Sequence, residues 1–127
     1  MNIFICIKYK GRAFDQIPEI RKILESLGHK TYCFATDAGE ISDSKKMMTE
    51  ALDKINQSDA LVVESSEQSF GVGIEAGYGF AKGKKIISII KDANNQSKTL
   101  DGISNNYIIY KDYLDLENKL KNILNNK

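Results

Sequence analysis

The chain has 127 residues, 42% hydrophobic and 28% charged, with 18 Lys and Arg against 17 Asp and Glu. That length suits one domain spanning residues 1–127, whose core needs no disulfide or metal, and a net charge of +1 excludes a protein held to nucleic acid polymer or a membrane by bulk charge. No apolar run approaches the roughly 20 residues that span a bilayer, and the first residues lack the pattern of a signal peptide, so a cytoplasmic protein with no membrane contact is expected. Cys6 and Cys33 both fall inside apolar runs and read as buried, reduced thiols.

In chain order, residues 3–7 form a continuous apolar run, as a strand covered on both faces would. Ile17, Ile20, Leu24 and Leu27 recur at helical spacing, with Pro18 in the first turn and Gly28 as the stop. Residues 31–35 read as a second strand. Residues 37–44 are polar and contain Gly39, so a loop is expected there, delivering a helix cap near Ser42 or Asp43. Met48, Ala51, Leu52 and Ile55 make one face of the next helix. Residues 60–64 and 85–90 are the third and fourth strands, and between them residues 71–82 form a glycine-opened helix that stops at Gly83. The polar stretch 91–106 reads as a long loop, a lid or a subunit contact. A short strand at 107–110 and an amphipathic helix begun near Asp112, with Leu116, Leu120, Ile123 and Leu124 on one face, close the chain.

Strands alternating with helices predict an α/β fold: a doubly wound parallel sheet of about five strands, flavodoxin-like or Rossmann-like, with helices on both faces. Such sheets bind ligands beyond the carboxyl ends of their strands. Three loops should meet there: residues 8–15, 35–42 and 64–73.

The third of these loops carries the densest chemistry. Ser65, Ser66 and Ser69 supply hydroxyls, Gly71 and Gly73 let a ligand approach the backbone, and the opening helix favours an anion. Glu75 is expected in the first helical turn, where it is either a nucleophile or base, or a carboxylate that complements the helix dipole. The spacing Gly-x-Gly-x-x-x-Gly after the third strand is not the dinucleotide fingerprint, which follows a first strand. In the first loop Lys8, Lys10 and Arg12 surround Gly11, either as solvated charges or as a phosphate grip, and Tyr9 can stack on a base or sugar. His29 reads as a surface residue. Tyr107, Tyr110 and Tyr113 read as packing at a sheet edge or dimer contact.

The strings Asn56-Gln57-Ser58-Asp59-Ala60-Leu61-Val62-Val63-Glu64, Ser69-Phe70-Gly71-Val72-Gly73-Ile74-Glu75-Ala76-Gly77-Tyr78 and Gly83-Lys84-Lys85 resemble the nucleoside 2-deoxyribosyltransferase family. That family includes the smaller 2'-deoxynucleoside 5'-phosphate N-hydrolases. The resemblance is dense over residues 55–90 and thinner elsewhere. It implies cleavage or transfer at the N-glycosidic bond of a (2'-deoxy)nucleoside or its 5'-monophosphate, with no cofactor and no metal. By the resemblance Glu75 attacks the anomeric carbon and Ser69 lies near the 5'-phosphate. Ser65, Gly71, Gly73, Lys8, Tyr9 and Lys10 complete the candidate substrate contacts. A homodimer with a shared active site is also implied, with residues 97–106 as the donated segment.

Two positions depart from the family pattern. Its aspartate proton donor lies eight residues before the aspartate that opens the third strand, and here that position is Ala51; Glu50 and Asp53 are its acidic neighbours. The family's first-strand tyrosine, which orients the glutamate, is matched by Phe4. The alternatives are therefore a binding module that keeps the pocket without efficient catalysis, or a glycosidic chemistry with a different proton source.

Overall fold

The computed structural model describes residues 1–91 and 93–124. Strands β1 (Asn2–Cys6), β2 (Lys30–Cys33), β3 (Ala60–Glu64), β4 (Lys85–Ile90) and β5 (Asn106–Ile109) form one parallel sheet in the order β2-β1-β3-β4-β5. The helices are α1 (Ile17–Ser26), α2 (Phe34–Asp37), α3 (Ser44–Asn56), α4 (Phe70–Ala81), α5 (Lys98–Ile103) and α6 (Tyr113–Leu124). The doubly wound α/β expectation holds. Among the described residues no helix is long and apolar enough to cross a membrane.

The two faces of the sheet are written into its strands residue by residue. Successive side chains point to opposite faces, so a strand buried on both sides is apolar throughout. Ile3 and Ile5 of β1, Ala60 and Val62 of β3, and Ile87 and Ile89 of β4 join α1 and α6 through Ile17, Ile20, Leu24, Leu116 and Leu120. Phe4, Cys6, Leu61, Val63 and Ile86 point the other way, onto Ile55 of α3 and Val72 and Ala76 of α4. At Gly79, α4 lies so close to β3 that a Cβ would stand 2.8 Å from a Leu61 methyl. Only glycine permits that approach.

The chain leaves β1 toward β2 on one side, then returns across β1 to pair β3 on the other. This reversal opens a crevice at the carboxyl ends of β1 and β3, where doubly wound sheets bind ligands.

Several boundaries differ from the sequence expectation. The second strand stops at Cys33, and residues 34–37 coil into α2 because the Asp37 carboxylate accepts the Cys33 amide at 3.0 Å. Asp43, rather than Ser42, caps α3 by accepting the Lys45 amide. The polar stretch 91–106 holds α5, capped by Ser97 and seated through Leu100 and Ile103, where a continuous loop was expected. Three apolar residues in sixteen, Ala93, Leu100 and Ile103, were too few to reveal it as periodic. Asp92 in that stretch lies outside the described residues.

At the end of β3, Glu64 is buried, and its carboxylate accepts the Ser66 amide at 2.6 Å and the Tyr110 hydroxyl at 2.6 Å. This pair ties the start of the β3–α4 loop to the residue after β5. Tyr110→Phe leaves a buried carboxylate short of its donor and is expected to lower stability by about 1–3 kcal/mol in urea denaturation.

Candidate active site

The crevice is a cavity of about 680 Å³. Its walls come from the end of β1 (Ile5, Ile7), the β1–α1 loop (Tyr9, Lys10), α2 and the α2–α3 loop, α3 (Met47, Met48, Ala51) and the start of α4 (Gly71, Val72, Glu75). Residues 35–42 and 64–73, with the 8–15 loop, were expected to converge here. Each of the three contributes lining residues.

Glu75 is the sixth residue of α4, in its second turn rather than its first, because the helix opens at Phe70. Helix-dipole effects fade within the first turn, so the carboxylate is poorly placed to serve as a dipole complement. Instead it lines the cavity, half-buried. Burial pushes its carboxyl up to about 7, against a smaller opposing effect from a hydrogen bond with the Cys6 thiol. Cys6 itself is fully buried, and burial together with Glu75 pushes its thiol well above the usual range. Two residues earlier on the same face of β1, Phe4 packs 6.0 Å from Tyr32 and does not line the cavity. The side chain that β1 presents to the glutamate is therefore Cys6.

Ser69 and Gly71 line the cavity at the entry to α4. Ser69 is also the helix cap, its Oγ accepting the Val72 amide at 3.4 Å. Gly73 and Ser65 lie outside the lining. Ser65 turns into the sheet, its amide and hydroxyl both donating to the Ile89 carbonyl.

The 8–12 loop is organised around Glu67. That carboxylate accepts the backbone amide and Nε of Arg12 and lies 3.5 Å from Lys8 Nζ, and these contacts, Arg12 foremost, hold its carboxyl below the usual range. Lys8 thus answers a protein carboxylate and does not line the cavity. Lys10 does, from a left-handed backbone with φ of +56°. Among the described lining residues it is the basic side chain. Tyr9, half-exposed, packs edge-on against Phe14 at 5.5 Å.

On α3, Ala51 is buried and lines the cavity. Glu50 and Asp53 are exposed and do not line it; Asp53 accepts the Gln57 side-chain amide at 3.0 Å. The 35–42 loop was expected here without Thr36, Glu40 or Ile41 being singled out, and Met47 of α3 was missed. Gly39, which marked that loop in the sequence, takes a φ of +72°.

The lining joins a carboxylate drawn from water, the polar residues Lys10, Ser69 and Gly71, and the apolar side chains of Met47, Met48, Ile41 and Ala51.

No family model matches the chain. It is 30% identical over 99 residues to the 5-hydroxymethyl-dUMP N-hydrolase of Danio rerio, across 72% of this chain and 69% of that protein. Its fold matches the CMP N-glycosidase of Clostridium botulinum at a TM-score of 0.73 and 23% identity, covering 95% of this chain and 98% of the other. It matches a 2-deoxyribosyltransferase of Bacillus psychrosaccharolyticus at a TM-score of 0.77 and 15% identity, covering 93% and 91%. The two structures speak to the fold, and the fish N-hydrolase carries the kinship that the motif around Glu75 implies: the chain belongs to the nucleoside 2-deoxyribosyltransferase family, which includes the nucleotide N-hydrolases.

Proposed function

We propose that this protein is an enzyme that cleaves or transfers at the N-glycosidic bond of a (2'-deoxy)nucleoside or its 5'-monophosphate, with Glu75 as nucleophile. The observation that carries the reading is Glu75 itself, a half-buried carboxylate that lines the same cavity as Lys10, Ser69 and the apolar Met47 and Met48. Support also comes from the relatives, whose names are N-hydrolase, N-glycosidase and deoxyribosyltransferase.

In this reading the sugar lies across Glu75, with its 5'-phosphate toward Lys10, Ser69 and Gly71 and its base among Met47, Met48 and Ile41. As the bond to the base stretches, positive charge builds on the sugar ring. A carboxylate beside the anomeric carbon stabilises that charge and then bonds to the carbon as an ester. Water completes a hydrolysis; a second base completes a transfer. The buried Cys6 thiol stands beside Glu75 at the end of β1 and is the group β1 offers to position the carboxylate.

One observation favours a second reading. With Ala51 in the cavity wall, the position of the family's proton donor carries no acid, which suits a nucleotide-binding module without efficient chemistry. Incubation with a panel of nucleosides and 5'-monophosphates, followed by chromatography for free base, separates the two. Release of a base supports the enzyme; saturable binding without release supports the module.

The assembly proposed is a homodimer with a shared site. Phe70 is 94% exposed and Ile74, one turn on along α4, is 53% exposed. Residues 97–106, proposed as the segment lent by each subunit to its partner, include α5, which packs against α4. The buried, unpaired Cys6 and Cys33 suit the reducing cytoplasm, the compartment proposed for the protein.

Light scattering is expected to give about twice the 14.2 kDa chain mass, and Phe70→Glu with Ile74→Glu to return it to one chain.

Glu75→Gln is expected to abolish base release while keeping the fold. It should also stabilise the protein at alkaline pH. The folded carboxyl at about 7 lies above its ordinary 4.5, so the folded state holds a proton that the unfolded chain has released. Wild-type stability therefore declines as pH rises from 4.5 through about 7, and Gln removes a penalty of up to about 3 kcal/mol at pH 8. Denaturation of both proteins at pH 4 and pH 8 checks the sign. Equal pH slopes would mean that Glu75 is not held from water.

A further inference from the structure

We propose that Glu40 supplies the proton to the departing base, an inference that rests on the reading of Glu75 as nucleophile. Scission of an N-glycosidic bond leaves an electron pair on the base, and a neutral base leaves poorly unless that pair is protonated. Helix α3 offers no acid for this step, since Ala51 lines the cavity while Glu50 and Asp53 do not. Among the described residues that line the cavity, the carboxylic side chains are Glu75, half-buried, and Glu40, exposed at its rim.

The two come from different parts of the chain. The loop that brings Tyr9 and Lys10 is joined to the β3–α4 loop through Glu67, and Ser69 and Gly71 stand where that loop enters α4. Glu40 comes from the connection after β2, between α2 and the first turn of α3 and next to Ile41, and α3 itself adds Met47, Met48 and Ala51 to the lining. In the proposed reading the departing base packs against these apolar side chains.

The loop that carries Glu40 is pinned at both ends. Asp37 accepts Arg21 Nη1 at 2.7 Å and the Cys33 amide at 3.0 Å, and Asp43 accepts the Lys45 amide at 3.1 Å as the cap of α3. Between them Gly39 takes a φ of +72°, which L side chains rarely adopt, and turns the chain so that both Gly39 and Glu40 line the cavity.

The step balances with these two groups and water. A Glu75 oxygen bonds to the anomeric carbon as the bond to the base nitrogen breaks. The base keeps that electron pair and takes the proton of the Glu40 carboxylic acid. Glu40, now a carboxylate, removes a proton from water; the resulting hydroxyl attacks the anomeric carbon, and the ester bond returns its pair to Glu75. Base and sugar phosphate are released, Glu75 is again an anion and Glu40 again an acid. Two carboxyls sharing nucleophile and acid–base duty is the pattern of retaining glycosidases.

The test compares wild type, Glu40→Gln and Glu75→Gln on two substrates: an ordinary purine 2'-deoxynucleoside 5'-monophosphate, and its 7-methylguanine counterpart, whose cationic base departs without a proton. Glu40→Gln is expected to slow the ordinary substrate by about 10²–10⁴-fold, the range of a general acid, and the methylated substrate by less than about tenfold. Adding Ala51→Asp to the Glu40→Gln variant is expected to recover a fraction of the loss, by restoring an acid to the cavity lining. Equal slowing of both substrates would overturn the proposal, because it would show a role in binding or loop structure. So would an ordinary-substrate rate within about twofold of wild type while Glu75→Gln is inactive, and that outcome would leave the nucleophile reading standing. A wild type inert on every nucleotide would end both.

Discussion

Water held away from Glu75 is the interaction on which the site depends. A carboxylate on an exposed helix is a solvated charge of no particular reactivity. Here the second turn of α4 carries it past the free amides of the helix start and against the buried Cys6 thiol of β1. Desolvation raises its carboxyl to about 7, so the group changes charge in the range where biological chemistry runs. The same desolvation sharpens its attraction for positive charge that develops on a bound sugar, since electrostatic interactions strengthen as water leaves. The sheet, with apolar residues on both faces, is what makes such a dry position available at its rim.

Much of the fold was legible because its physics is local. Period-free apolar runs such as residues 60–64 and 85–90, each short and bounded by turn residues, suit strands covered on both sides, and the helical spacing of Ile17, Ile20 and Leu24 has no competing reading. α5 was illegible because its stability comes from two contacts, Leu100 and Ile103, and a serine cap rather than from a repeated pattern. The site was legible where glycine and glutamate stand in a dense motif, at Ser69, Gly71 and Glu75. It was illegible where tertiary contacts decide. The Lys8 and Arg12 charges looked available for phosphate until Glu67, more than fifty residues on, took both. Phe4 drew notice as a missing hydroxyl, yet the strand alternation places Cys6 on the same face and nearer the carboxylate.

Glu67 also shows how a rim is built from charges that do not themselves meet ligand. With Lys8 and Arg12 bound to it, the 8–12 segment becomes a folded unit joined to the loop ahead of α4. Gly11 permits this closeness, since a Cβ there would stand 2.7 Å from the Glu67 carboxylate. Exposed ion pairs contribute little to stability on their own, so the significance of this cluster is geometric. It sets where Tyr9 and Lys10 stand relative to Ser69.

Lys10 completes that geometry at a visible cost. Its φ of +56° is a conformation that a side chain with a Cβ rarely adopts, and holding a residue there costs on the order of 1–3 kcal/mol. A glycine would remove the strain, and one stands at the very next position, so the strain does not follow from a chain that lacks permissive residues. The neighbouring contacts instead hold the turn closed: the Gly11 amide donates to the Lys8 carbonyl at 3.1 Å, and the Phe14 amide to the Gly11 carbonyl likewise. Placing lysine in this turn sets its stem in the cavity lining, with Nζ 5.3 Å from the centroid of the Tyr9 ring. The tolerated strain therefore falls at the point of the loop where charge meets the cavity, while Lys8 and Arg12 on either side serve to keep it there.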